Sequence, residues 1–150
     1  PAGLPAWFRD AVWFRGNCFQ RLGDFAASRR EFDRLLGISW VLQQRQDFIM
    51  RAWVEMDYAE ALISEGDFAA AAPLLESADS VFRSYLTVEH PDYHLADYQR
   101  ARMALWSGQA GTAATLYQQV HERWLRSLGP DHLWTLYAES EWLWAKSEAA

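Results

Sequence analysis

Apolar residues recur at helical spacing in seven stretches of the chain, separated by short breaks that contain glycine, proline or acidic residues. The pattern predicts helices over 6–21, 25–45, 48–64, from a cap at Asp67 to about Leu86, and over 93–107, 112–127 and 132–147. No segment alternates with period two and β-branched residues, so strands are not expected. The prediction is an all-α chain of about seven helices with short connections.

Four positions carry more specific local expectations. Gly37 lies inside the second predicted helix, where it predicts a weak point or kink. Asp47 is expected to cap the third helix, and Pro73 to delay or bend the fourth. Cys18 follows a helical pattern beside an aromatic residue, which is typical of a small buried thiol.

The turns between helices repeat at a nearly fixed period. Gly23, Gly66 and Gly108 are separated by 43 and 42 residues, and Asp24 and Asp67 follow the first two as candidate helix caps. The residue seven positions before each glycine is small, the residue five positions after it is small, and the residue nine positions after it is large and apolar. These positions hold Gly16, Ala59 and Ala101, then Ser28, Ala71 and Ala113, then Phe32, Leu75 and Tyr117.

This pattern resembles the tetratricopeptide repeat (TPR), in which helix pairs keep small residues where the two helices cross. The resemblance covers about residues 8–128, with a half repeat behind them. The longer period and the turn 128–132 (Leu-Gly-Pro-Asp-His), with a partial match at 89–92 and histidines 42 residues apart, resemble the kinesin-light-chain type. Ser28, Pro73 and Leu143 depart from the repeat pattern.

The resemblance implies a single domain over 1–150, built as a right-handed superhelical stack of antiparallel helix pairs, a TPR-like α-solenoid. Its repeats would be approximately 6–45, 47–87 and 91–128, with a final half repeat or capping helix at 131–148. The chain is expected to be part of a larger protein.

Composition limits the classes of partner and the compartment that we expect for this chain. The chain of 150 residues has a net charge of −6, with two excess positive charges in residues 1–50 and eight excess negative charges in 51–150. This balance argues against a broad basic nucleic-acid surface. Cys18 is the one cysteine, which fits a reducing compartment, and no stretch has the length of a membrane span. We therefore expect a cytoplasmic module without nucleic-acid or membrane partners.

Candidate chemistry is sparse. His90 and His94 are four residues apart near Asp92, but Pro91 places His90 in a turn before the helix. The sequence contains no phosphate loop, nucleophile elbow or metalloprotease motif. We expect no catalytic residues, no metal and no cofactor.

The predicted binding surface is the concave groove that the resemblance implies. Offsets of 13, 10, 6 and 3 residues before each glycine select the inward-facing side chains, a strip of aromatic, methionine and single polar groups. The candidates are Trp13, Asn17, Gln20, Trp53, Met56, Glu60, Tyr98, Arg102 and Leu105, with Tyr137 and Trp144 continuing the surface. Each aromatic could equally fill the interior between helices.

We accordingly expect a non-catalytic module that binds a protein or peptide in its groove. One alternative is a regulatory domain of a bacterial signalling protein or transcription regulator that senses a small molecule or peptide, favoured if Trp13, Trp53 and Tyr98 line a deep closed pocket. Another is self-association or a scaffold role through the last helix, with Trp134, Trp142 and Trp144 at the interface.

Overall fold

The computed structural model describes residues 6–37 and 45–150, and in these ranges all regular secondary structure is helical. The helices are α1 (Ala6–Arg21), α2 (Phe25–Leu36), α3 (Arg45–Glu65), α4 (Phe68–Tyr85), α5 (Leu95–Trp106), α6 (Ala110–Leu128) and α7 (Leu133–Glu148), with a 3-10 turn at Pro91–His94 before α5. The predicted all-α class is confirmed.

The chain forms two compact units, one up to Val81 and one from Phe82 onward. The boundary falls inside α4. In the first unit α2 packs against both α1 and α3, and in the second unit α6 packs against both α5 and α7. Because the turns after α1, α5 and α6 are short, α1 and α2, α5 and α6, and α6 and α7 run antiparallel.

The three turn glycines adopt the same backbone conformation. Gly23, Gly66 and Gly108 have φ of 77°, 86° and 78°. In each turn the glycine N–H donates to the carbonyl three residues earlier, and the next N–H donates to the carbonyl five residues earlier. This is the Schellman arrangement that ends a helix, and it favours glycine because φ is positive. Asp24 and Asp67 then accept from the backbone N–H three residues on, as expected of helix caps.

The positions that repeat around these glycines are buried. All nine of them are fully or almost fully removed from solvent: Gly16, Ser28, Phe32, Ala59, Ala71, Leu75, Ala101, Ala113 and Tyr117. The serine in place of alanine is accommodated because its Oγ donates to the carbonyl oxygen of Gly16 at 2.9 Å. A Cβ on Gly16 would lie 3.2 Å from the Phe32 ring, so α1 and α2 approach closely at this point.

The two repeated histidines cap helical segments in the same way. His90 and His132 both have extended backbone, with φ/ψ of −73°/130° and −75°/138°. Each Nδ1 accepts a hydrogen bond from the backbone N–H two residues later, at Asp92 and Trp134 respectively. The two histidines, 42 residues apart, therefore share the same backbone conformation and the same capping hydrogen bond.

Two predicted helix boundaries are wrong. The second helix ends at Leu36, and Gly37 is its C-cap rather than an interior kink; residues 38–44 lie outside the described ranges. The third helix already begins at Arg45, so Asp47 lies in its first turn and does not cap it. An acidic residue in the first turn still interacts favourably with the helix dipole.

Three further local predictions need correction. Pro73 does not delay α4, which begins at Phe68 directly after its cap. Pro73 and Ala69 are both exposed, so water can reach the carbonyl that loses its helical partner. The segment before α5 starts as a 3-10 turn, and Cys18 is exposed rather than buried.

The last helix uses a different small residue from the one that the histidine period indicates. Leu143 is 55% exposed, whereas Ala145 is fully buried. Ala145 joins Ala101, Ala113 and Tyr117 in the core of the second unit.

Candidate functional site

A hydrogen-bonded cluster of three side chains joins α1 to α3 in the first unit. Asp57 Oδ2 accepts from Trp13 Nε1 at 2.7 Å and from Asn17 Nδ2 at 2.8 Å. Oδ1 of Asp57 receives no hydrogen bond from the residues that the structure describes. We call Trp13, Asn17 and Asp57 the Asp57 cluster.

Helix periodicity explains why these side chains meet. Trp13 and Asn17 are four residues apart, so they lie on one face of α1. On α3, Trp53, Asp57 and Glu60 follow the spacing i, i+4, i+7 and share a face in the same way. The cluster therefore lies where the α1 face with Trp13 and Asn17 meets the α3 face with Asp57. The repeat offsets indicate both of these faces.

Burial sets the electrostatics of the cluster. It raises the pKa of Asp57 to about 6, from an ordinary 3.8. The hydrogen bonds from Asn17 and Trp13 act in the opposite direction because they favour the carboxylate, and the charge of Arg21 does the same. The negative charge of Glu60 raises the pKa further. The Asp57 carboxyl group therefore ionises at about pH 6, and its Oδ2 accepts hydrogen bonds from two donors.

This raised pKa predicts how stability depends on pH. Since the folded-state pKa lies above the ordinary value, the stabilisation from protonating Asp57 is fully present below pH 3.8 and is lost as pH rises through about 6. Asp57→Asn keeps an oxygen acceptor for both donors and removes the charge. We expect this variant to be more stable than wild type at neutral pH, by on the order of 2 kcal/mol.

Urea unfolding of both proteins at about pH 4.5 and about pH 7.5 checks this prediction. The advantage of Asp57→Asn should shrink at the lower pH, because wild-type Asp57 is then largely protonated. An equal stability difference at both pH values would contradict the assignment of Asp57 as the titrating group.

The remaining candidate residues of the first unit differ in exposure. Gln20, Trp53 and Glu60 are half-buried, so part of each side chain reaches solvent. Met56 is 2% exposed and belongs to the core. The accessible candidates on α1 and α3 are therefore Gln20, Trp53 and Glu60, in addition to the Asp57 cluster.

In the second unit two of the candidates take part in the packing between helices. The Tyr98 ring packs against Tyr117 and Trp124, with ring centroids 5.4 and 5.3 Å apart. Leu105 is 8% exposed. These contacts place the Tyr98 ring against α6, where it contributes to the packing of α5.

The other candidates of the second unit reach solvent. The half-buried Arg102 guanidinium lies 4.9 Å from the Trp106 ring centroid, in cation–π geometry. Burial raises the pKa of Glu141 on α7, while the charge of Arg102 lowers it. Tyr137 and Trp144 are 52% and 48% exposed, so both are accessible on α7.

A surface cavity of about 250 Å³ in the second unit was not anticipated from sequence. Val88, Glu89, Arg123, Arg126 and Ser127 line it. It lies where the loop after α4 meets the C-terminal end of α6. No motif marks this place, because the loop and the helix are far apart in the chain.

His90 and His94, whose spacing could suggest a metal site, both form hydrogen bonds with backbone groups instead. His90 caps the 3-10 turn, and His94 Nε2 lies 2.8 Å from the carbonyl oxygen of Val88. Within the described part of the chain, no group of three or more histidine, cysteine or acidic side chains could hold a metal ion. None of the described helices is long and apolar enough to cross a membrane.

Comparison with family models, with curated proteins and with solved structures finds no match to this chain.

Sequence reasoning missed Asp57 itself. A signal was present: Asp57 is an acidic residue inside an otherwise largely apolar run, and Val54, Ala59 and Leu62 around it are buried. A carboxylate in such a run needs hydrogen-bond donors. Which donors it finds depends on the helix packed against α3, and the repeat offsets alone did not identify it.

Proposed function

We propose that this chain is a TPR-like module, a right-handed stack of antiparallel helix pairs, that binds a protein or peptide as a non-catalytic, cytoplasmic part of a larger protein. The fold part of the proposal is supported by the three Schellman turns at steps of 43 and 42 residues. The burial of all nine small and large repeat positions supports it independently.

The observation that carries the binding function is the Asp57 cluster. Trp13 and Asn17 come from one helix and Asp57 from the next but one, so the cluster fixes the side chains of two helices in one surface. Preorganised side chains lose less conformational entropy on binding than free ones. The two hydrogen bonds therefore support a partly preorganised surface, which lowers the entropic cost of binding a peptide.

The chemistry around the cluster indicates the partner. Half-buried Trp53 offers aromatic contact area, and tryptophan is common among binding hot spots. Asp57 Oδ1 and the carboxylate of Glu60 are acceptors on the same helix face. A segment that combines an apolar side chain with a cationic or N–H donor group complements this surface.

A peptide-display selection on the immobilised chain tests the proposal. Selected peptides are synthesised, and their affinities are measured for wild type, Trp53→Ala and Arg102→Glu, which probe the first and second unit separately. We expect Trp53→Ala to weaken binding at least about tenfold, because losing a hot-spot contact costs on the order of 1–2 kcal/mol or more.

Gln119→Ala is the matched control, since this exposed residue lies on α6, which carries none of the candidate residues. It should leave every affinity unchanged. If both Trp53→Ala and Arg102→Glu bind the selected peptides as tightly as wild type does, the groove hypothesis is wrong.

A further inference from the structure

An apolar face of α7 is exposed to solvent. Its five large residues, each 46–56% exposed, are Leu133, Leu136, Tyr137, Leu143 and Trp144. Their spacing of three, four and seven residues places them on one side of the helix, with Ser140 between the two pairs. Trp134 and Trp142 are not part of this face, since Trp134 packs on Trp124 and Trp142 packs on His121.

A second apolar face is exposed on α1 and the turn after it. Trp7, Phe14 and Leu22 are 70%, 63% and 79% exposed. They are spaced seven and eight residues apart, and the exposed small residues Ala11 and Cys18 lie between them. This face therefore alternates large and small side chains along one side of the helix.

The two faces are complementary in side-chain size. When α1 and α7 are placed antiparallel with Phe14 opposite Ser140, the large groups in the middle of each face lie opposite small groups of the other. Ala11 then faces the pair Leu143 and Trp144, and Cys18 faces the pair Leu136 and Tyr137. Leu22 and Leu133 meet at one end. Alternation of large and small side chains is what allows facing helices to interdigitate.

The two helices are also complementary in charge. α1 contains three arginines, of which Arg15 is already ion-paired with Glu31 of α2, and one aspartate, whereas α7 contains three glutamates and one lysine. Packing α7 against α7 of another copy would bring two acidic helices together and place large pairs opposite large pairs. Charge and size thus both favour the unlike pairing.

The area is sufficient for a specific contact. Five half-exposed large side chains on α7 present on the order of 500 Å², so burying both faces removes about 1,000 Å² in total, near the lower bound for specific interfaces. Contiguous apolar patches of this size on a protein surface usually mark interaction sites.

We propose that a second copy of this chain covers these faces, with the α1 face of one copy docked antiparallel on the α7 face of the next. This inference goes beyond the proposed peptide-binding function and does not depend on it. Because the contact joins two different faces, a first contact between two copies leaves one face of each kind for a further contact.

Light scattering of the purified full chain tests the proposal. Wild type should increase in average mass as its concentration rises from low micromolar to near-millimolar. Phe14→Glu blocks the α1 face by opposing acidic α7, and Leu143→Arg blocks the α7 face by opposing basic α1. Each variant alone should remain monomeric at the concentrations where wild type associates.

Mixing the two variants distinguishes the proposed contact from its alternatives. Phe14→Glu keeps an intact α7 face and Leu143→Arg keeps an intact α1 face, so the mixture should form one-to-one dimers that do not grow further. Gln119→Glu, a surface charge on α6, should behave as wild type. Leu22→Glu and Leu136→Arg replace either variant if circular dichroism shows that it is unfolded.

Two results would overturn the proposal. A wild type that stays monomeric throughout would show that a second copy does not cover these faces. A Phe14→Glu variant that dimerises by itself means that α7 pairs with α7.

Discussion

Trp124→Ala is expected to lower the free energy of unfolding by about 3–5 kcal/mol. Trp124 is 2% exposed in the second unit, and its ring packs between Tyr98 on α5 and Trp134 on α7. Its Nε1 also donates to the carbonyl oxygen of Pro91 at 2.9 Å. The substitution therefore leaves a large cavity among three helices and removes the hydrogen-bond partner of a carbonyl group.

Urea unfolding followed by circular dichroism measures this loss. Trp124→Phe separates the two contributions, because phenylalanine retains most of the ring volume but has no N–H donor, and it should cost less than alanine. Trp106→Ala is the matched control on α5, since Trp106 is 41% exposed. Similar losses for Trp124→Ala and Trp106→Ala would show that burial of Trp124 does not organise the second unit.

Phe32→Ala is expected to have a comparable effect in the first unit, about 3–5 kcal/mol. Phe32 is fully buried, and its ring stacks on Tyr58 of α3 with a centroid distance of 5.1 Å. The other side of the ring approaches Gly16 on α1. Alanine would leave a cavity where α1, α2 and α3 meet.

The same unfolding experiment on Phe14→Ala provides the control, because Phe14 is a phenylalanine of the same unit that is 63% exposed. Measured at low protein concentration, where self-association is negligible, this change should stay within about 0.5 kcal/mol. A loss for Phe32→Ala no larger than that of Phe14→Ala would mean that the nine-residue offset from Gly23 does not identify a core position.

The repeat positions show how much of the fold could be read from sequence. Gly23, Gly66 and Gly108 were identified from spacing alone, and all three have the positive φ that makes glycine favourable. Backbone conformation and side-chain size at these positions are local requirements. They restrict which residue types can occur there, so the sequence shows them directly. Helix identity was predictable for the same reason, because the apolar period of 3.6 follows from helix geometry.

The wrong predictions concern residues whose outcome depends on their neighbours in space. Pro73 is compatible with the interior of α4 because it lies on the exposed side of the helix. Cys18 is exposed although its type is usually buried, since it lies on the face of α1 opposite α2 and α3. In each case the prediction followed the average behaviour of the residue type. The observed helix structure or burial instead depends on which side of its helix the residue lies on.

The candidate site was predictable in part. The offsets placed Trp13 and Asn17 on one face of α1, and the structure brings both to a single carboxylate oxygen. The same offsets selected Met56 and Leu105, which are buried, and Tyr98, whose ring packs against α6. Periodicity defines a face, but the depth of each residue on that face depends on the size of the side chains that surround it.

By itself the sequence determined the all-α class, the seven α-helices of the described ranges and the period of the turns, because these depend on local backbone conformation and on side-chain spacing within one helix. Only the tertiary structure decided that Asp57 accepts hydrogen bonds from Trp13 and Asn17, and that α1 and α7 keep apolar faces in solvent. Contacts between helices depend on how the helices cross, and a linear pattern does not record that geometry.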